Sequence, residues 1–193
     1  MPFFETGFAG LIIFEPAVFE DNRGYFFESY NQIVFSQYGV NSAFVQDNQS
    51  SSEYGVIRGL HFQSPPFAQS KLVRVLSGKI LDVGVDIRQG SPTYGKVFSI
   101  ELSAENKKQL LLPKGFAHGF SVLSAKAEVL YKCDGFYNKQ SEGGILFSDP
   151  ELKIDWQIPA DKIKVSEKDL GNKLFKDVKS GFAYNEPDTK IIS

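Results

Sequence analysis

The sequence predicts a mainly β protein, a sandwich or jelly-roll barrel with a few short helices. Three observations carry that reading. Strand-like apolar runs recur along most of the chain, divided by turn residues at regular intervals. Eighteen Phe and eight Tyr stand against one Trp and one Met, a composition that suits pleated, half-buried strands. The 193 residues fit one domain with an ample core, and no internal repeat or low-complexity linker divides them.

Taken in order, "GLIIFEPAVFED" reads as an extended segment interrupted by Pro16. "DNRGYFFESY" gives a turn at Asp21-Asn22-Arg23-Gly24 and then a strand from about Tyr25. "NQIVFSQYGV" is the best early helix, stopped by Gly39. "KLVRVLSGKILDVGVDIR" alternates about Ser77-Gly78-Lys79 and reads as a hairpin. "YGKVFSIELSAEN", "KQLLLPKGFAHGFSVLS", "AEVLYKCDGFYN" and "GGILFSDP" continue the pattern. From about Ser166 the chain reads as partly helical, and "NEPDTKIIS" as a loose tail. Alternation assigns faces. Lys71, Val73 and Val75 share one, with Leu72 and Arg74 opposite. In an extended strand, Arg58 and Leu60 share a face and Gly59 and His61 take the other.

The formal net charge of -2 argues against nucleic acid as a partner. The single cysteine, Cys133, excludes an internal disulfide and reads as a buried thiol in a reducing cytoplasm. The start, "MPFFETGFAGLIIF", lacks a basic region, and its apolar run is too short for a signal peptide or a membrane span. The expectation is a soluble, cytoplasmic protein.

The chain has two histidines, in "RGLHFQ" and "LLPKGFAHGF". The second lies in a PxGxxH pattern, which resembles the latter half of the cupin signature, so the barrel is expected to be of cupin type. The former half needs a His-x-His pair and a following Glu. Here His61 is followed by Phe62, Gln63, Ser64 and two prolines. Two histidines without further ligands make a poor metal site, and no metal is expected. On the residues alone, each ring is either packed in the core or a general base near its natural range of titration.

A wider constellation is more specific. "DNRGYFFESY", "FVQDNQSSSEYGVIRGLHFQSPPFAQSKLVRVLSG", "VDIRQGSPTYGKV", "ELSAENKKQLLLPKGFAHGF", "EVLYKCDGFYN" and "SDPELKIDW" resemble, in order and spacing, the dTDP-4-dehydrorhamnose 3,5-epimerase family. The resemblance covers residues 3–172 or so, leaving 173–193 as a C-terminal extension of one epimerase domain. It implies inversion at C3 and C5 of a dTDP-linked 4-keto-6-deoxy sugar, in dTDP-L-rhamnose synthesis, by a homodimer with no cofactor. Both carbons flank a ketone, so their protons are acidic. The reaction needs a base, an acid on the other face, and a positive group at the oxygen.

The resemblance also implies roles. His61 matches the base, and Asp169 the carboxylate that pairs with it and fixes its tautomer. Ser166-Glu167-Lys168-Asp169 reads equally as a helix capping box. Tyr131 matches the proton donor, and Lys71 the cation facing the C4 oxygen. His118 matches a second histidine at the sugar. Arg23, Glu28, Gln46 and Asn48 match substrate-binding positions, as do Arg58, Glu142 and Lys168. Arg23 and Arg58 suit the pyrophosphate through their paired donors. Tyr137 matches a ring near the sugar that influences how many centres invert, and Phe136 stands where the family often has tyrosine. Phe19 and Phe26 are expected in an aromatic wall for thymine, on strands that cross to a dimer partner. Inversion of one carbon alone, a non-catalytic sugar-nucleotide module and a metal-dependent cupin are the alternatives.

Overall fold

In the structure, a computed structural model that describes residues 2–185, the strands follow the apolar runs. In chain order they are β1 (Phe3–Glu5), β2 (Ile12–Phe14), β3 (Phe19–Asp21), β4 (Gly24–Phe26), β5 (Gln46–Glu53), β6 (Ile57–Gln63) and β7 (Lys71–Ser77). They continue as β8 (Lys79–Asp86), β9 (Val97–Ser103), β10 (Gln109–Leu112), β11 (Phe116–Val122), β12 (Lys126–Cys133) and β13 (Glu142–Gly144). Two short α-helices, α1 (Gln32–Gln37) and α2 (Glu167–Leu170), and three single 3₁₀ turns complete the set among the described residues. Helix α1 starts where Asn31 accepts from the Ile33 and Val34 N–H groups and stops before Gly39, as the sequence predicts. No described helix is long and apolar enough to cross a membrane.

Two antiparallel sheets face each other as a jelly-roll sandwich. One has the order β1-β2-β10-β7-β12-β5, the other β13-β6-β11-β8-β9. Between them, Val73, Val75 and Val129 pack against Phe116, Phe120 and Val122. Each such side chain withdrawn from water contributes about 1.5–3 kcal/mol before entropy is counted. The outer face of the five-stranded sheet, with Leu60, Val83 and Ala117, is covered by Ile145, Leu152 and Trp156. Val178 and Phe182 of the C-terminal extension pack there too, so its described part is held against the sandwich. The loose tail falls on residues that, apart from Asn185, lie outside the described range. The outer face of the six-stranded sheet, with Phe14, Leu72 and Leu111, packs against Phe35 of α1.

Two local expectations fail. β7 and β8 do not pair as a hairpin. β7 lies between β10 and β12, and β8 between β9 and β11, in different sheets. The chain crosses the sandwich at Gly78, with φ of 77°, and a Cβ there would lie 2.1 Å from the Lys126 carbonyl. Alternation marks two strands with one buried face each; it does not say that they share a ladder.

The second failure is in β6. His61 lies opposite His118 and Arg58 opposite Phe120, so three steps along β6 match two along β11. This β-bulge absorbs the extra residue at Gly59, whose φ is 120°. Residues directly opposite share a face. Arg58 and His61 therefore both turn inward, while Leu60 joins the outer cluster. Lys71, Val73 and Val75 do share the inner face, as expected. Arg74 turns outward and is half-buried, its guanidinium 4.9 Å from the centre of the Phe27 ring.

Candidate active site

Inward-facing side chains near one end of the sandwich form a cavity of about 160 Å3, lined by His61, Lys71, Tyr131, Tyr137, Asn48 and Glu142 among others. His61 enters from the five-stranded sheet, and Lys71 and Tyr131 enter from the six-stranded sheet. The imidazole and the phenol thus approach the space from opposite walls.

Behind His61 lies a carboxylate. The His61 Nε2 is 2.5 Å from Asp169 Oδ1, and the Asp169 side chain is only 6% exposed. The Gly59 N–H donates to the other oxygen at 3.4 Å. Burial pushes the Asp169 carboxyl up, but the hydrogen bond and charge of His61, with the Gly59 and Ser166 contacts, outweigh it and hold the group below its ordinary value. A carboxylate accepting at Nε2 places the proton there and leaves Nδ1 as the free base. The capping reading of this segment is also correct in part. Ser166 Oγ accepts from the Asp169 N–H at 3.1 Å, while the Asp169 side chain turns to His61. One short helix serves both ends.

On the other wall, Lys71 and Tyr131 sit on neighbouring strands, where Tyr131 lies opposite Val73 and Cys133 opposite Lys71. The Lys71 ammonium is 5.8 Å from the centre of the Tyr131 ring. Burial lowers the Lys71 pKa, opposed by Cys133, Asp82 and Glu142. Burial raises the Tyr131 pKa, so the phenol keeps its proton at neutral pH. Burial also pushes the Cys133 thiol up, against the pull of Lys71 and of the Asn48 amide, which donates to Sγ at 3.6 Å.

A second histidine–carboxylate pair stands beside the first. His118 is paired with His61 across β6 and β11, and its Nε2 is 2.7 Å from Asp82 Oδ1. Asp82 is fully buried, and its other oxygen has no hydrogen-bond partner among the described residues. The sequence reading missed Asp82. Its signal is a carboxylate in the apolar run "ILDVGVD", at an inward position of β8. Both imidazoles are thus engaged by carboxylates from separate elements. Among the described residues no cluster of three or more His, Cys, Asp or Glu is placed to hold a metal ion.

At the mouth, the Tyr137 hydroxyl donates to Glu142 at 3.0 Å, and the Lys168 ammonium donates to the same carboxylate at 2.6 Å. Burial pushes Glu142 up, and these two donors outweigh it and hold the carboxyl low. Gln46 and Asn48, two apart on β5, are joined by a 3.0 Å hydrogen bond. Arg58 does not line the cavity; it lines a separate open cleft with Ser52, to which its Nε donates at 3.0 Å. Arg23 and Glu28 do not line the cavity of their own chain. Arg23 is exposed in the β3–β4 turn and paired with Asp21 at 2.5 Å, and Glu28 accepts from Asn31. Phe19 and Phe26 are opposite one another on that hairpin, 66% and 71% exposed.

The profile of the dTDP-4-dehydrorhamnose 3,5-epimerase family matches residues 5–177. The chain belongs to this family. Among curated members, the dTDP-4-dehydrorhamnose 3,5-epimerase of Pseudomonas aeruginosa is 54% identical over 168 residues, covering 86% of this chain and 92% of the relative. That of Shigella flexneri is 52% identical over 174 residues, covering 90% and 95%. Among solved structures, a 3,5-epimerase from Legionella pneumophila in complex with dTDP-4-keto-L-rhamnose superposes with a TM-score of 0.90 at 45% identity, covering 95% of this chain and 98% of that one. The family match reaches a few residues into the C-terminal extension.

Proposed function

We propose that this chain inverts C3 and C5 of dTDP-4-dehydro-6-deoxy-D-glucose, giving dTDP-4-dehydro-L-rhamnose, within dTDP-L-rhamnose synthesis in the cytoplasm. The observation that carries the proposal is the cavity with an Asp169-backed imidazole on one wall and a protonated phenol beside an ammonium on the other.

In this reading His61 Nδ1 takes the proton from a carbon next to the C4 ketone. The electron pair moves into the carbonyl, and the Lys71 ammonium stabilises the oxygen that gains charge. The Tyr131 hydroxyl gives its proton to the same carbon from the other face, which inverts the centre. Proton exchange with solvent then restores the neutral imidazole and the phenol, and the cycle repeats at the second carbon. The substrate's own ketone acidifies both positions, so the chemistry calls for neither a metal nor an organic cofactor. Asp169 orients the ring and balances its charge once protonated. His118, held by Asp82, contacts the sugar beside His61.

The nucleotide is assigned to the outer part of the site. Arg58 takes the pyrophosphate, and Gln46, Asn48, Glu142 and Lys168 surround the sugar and its linkage. Arg23, Glu28, Phe19 and Phe26 reach a site only from a second copy, which makes the working unit a homodimer that exchanges β3–β4 hairpins. Incubation with the 4-keto sugar nucleotide in deuterated water tests the reaction. Deuterium at both C3 and C5 of the product is expected. Label at one carbon identifies a mono-epimerase, and label at neither overturns the proposal.

A further inference from the structure

Tyr137 lines the cavity, and with Gly135 and Phe136 before it forms a segment that makes no backbone–backbone hydrogen bond among the described residues. Glutamine side chains hold them instead. Gln69 donates to the Gly135 carbonyl at 2.5 Å, and Gln46 accepts from the Tyr137 N–H at 3.1 Å. Gln63 does most. Its amide nitrogen donates to the Phe67 carbonyl at 2.7 Å and to the Phe136 carbonyl at 3.3 Å, and its oxygen accepts from the Asn138 N–H at 2.7 Å. Gln63 is 6% exposed, whereas Phe136 and Tyr137 are 71% and 55% exposed. One buried amide thus ties together the two loops at the mouth, around Phe67 and around Tyr137. It lies two residues after His61 on β6, on the same face, so base and clip share one rigid strand.

The position of this clip has a consequence for a reaction with two inversions. After the first, the singly inverted sugar either stays for the second or leaves. What closes the mouth decides that partition, and Tyr137 is the cavity-lining ring on the clipped segment. We propose that Gln63 is a positioning residue that commits the sugar to the second inversion by fixing the Phe136–Tyr137 rim over the cavity. This rests on the two-inversion reading above. Gln63 itself lines the cavity, but its amide is engaged by the two loops, and in the proposed reaction it touches no reacting atom. Removing it frees the rim without altering the His61–Asp169 pair, so the first abstraction proceeds and the intermediate escapes.

The test follows early product release from the dTDP-linked 4-keto sugar in deuterated water by NMR, with wild type, Gln63→Met, Gln63→Glu and Tyr137→Ala. Gln63→Met removes all three hydrogen bonds. Gln63→Glu keeps the acceptor for Asn138 and loses both donations. The expected result for both is a rise of about threefold to tenfold in the ratio of singly to doubly labelled sugar, the size of one or two neutral hydrogen bonds, with the first exchange within about twofold of wild type. A merely structural role slows both exchanges alike and leaves the ratio unchanged, which overturns the proposal. If Gln63→Met does not fold, the ratio in Gln63→Glu decides. If Tyr137→Ala raises the ratio and neither Gln63 variant does, the clip is wrong and the rim stands. Wild type that labels neither carbon overturns the two-inversion reading itself, and the clip with it.

Discussion

Lys71 carries a charge that the cavity makes costly. Burial lowers its pKa, so it loses its proton at a lower pH than a free lysine, which titrates near 10.4. Only the ammonium form can hold the oxyanion. The alkaline limb of kcat is therefore expected below the usual lysine range, and a pH–rate profile measures it. Lys71→Met should lose about 10²–10³-fold in kcat and abolish that limb. A limb unchanged in Lys71→Met would assign it to another group. The residues in this pair of walls differ in how far the sequence exposes them. His61 and Lys71 are polar groups inside alternating apolar strands, which marks them without any relative. Asp169 is joined to His61 only by the fold, because 108 positions separate the pair. Asp82 went unread: it stands as a carboxylate in an apolar strand, but nothing local says that His118 lies across the ladder.

At the scale of the elements, β6 depends on its bulge. A Cβ at Gly59 would lie 2.5 Å from the Gly119 Cα and 2.7 Å from the His118 carbonyl, and its φ of 120° disfavours any side chain. Gly59→Ala is expected to cost about 1–3 kcal/mol from the backbone alone, read by urea denaturation. It should also lower kcat by displacing His61, and full activity at reduced stability would separate the bulge from the site. The bulge explains why strict alternation misplaced Arg58. The corner at Gly78 explains the hairpin that did not form: a short turn between alternating runs fits both a hairpin and a crossing of the sandwich. Only long-range pairing, which no local pattern contains, separates them. The early helix and the apolar faces were legible because each follows from short-range periodicity and capping.

For the whole molecule, the β3–β4 hairpin is left largely uncovered by the described residues of its own chain, with Phe19, Tyr25 and Phe26 all more than half exposed. If the proposed dimer forms through this hairpin, Phe19→Asp combined with Phe26→Asp leaves a monomer in light scattering at micromolar concentration, with loss of activity. A wild-type monomer of full activity would contradict the exchanged-hairpin dimer. Acid should loosen the fold through buried carboxylates. Burial pushes Asp86 up, but Arg88, Ser91 and Thr93 outweigh it and hold the carboxyl below its ordinary value. A depressed folded value means that this stabilisation is present above the unfolded value of about 3.9 and is lost as pH falls through the folded one. Asp86→Asn should therefore flatten the loss of stability below about pH 4, and an unchanged acid slope would place the linkage elsewhere.

His61 and Tyr131 divide the labour across one cavity, and the ratio of solvent exchange to completed inversion tests this division most directly. In deuterated water, His61→Asn should lose exchange at both carbons by about 10²–10⁴-fold. Tyr131→Phe should retain exchange while product formation falls. Wild-type exchange in His61→Asn, or equal losses of exchange and inversion in Tyr131→Phe, would contradict the account.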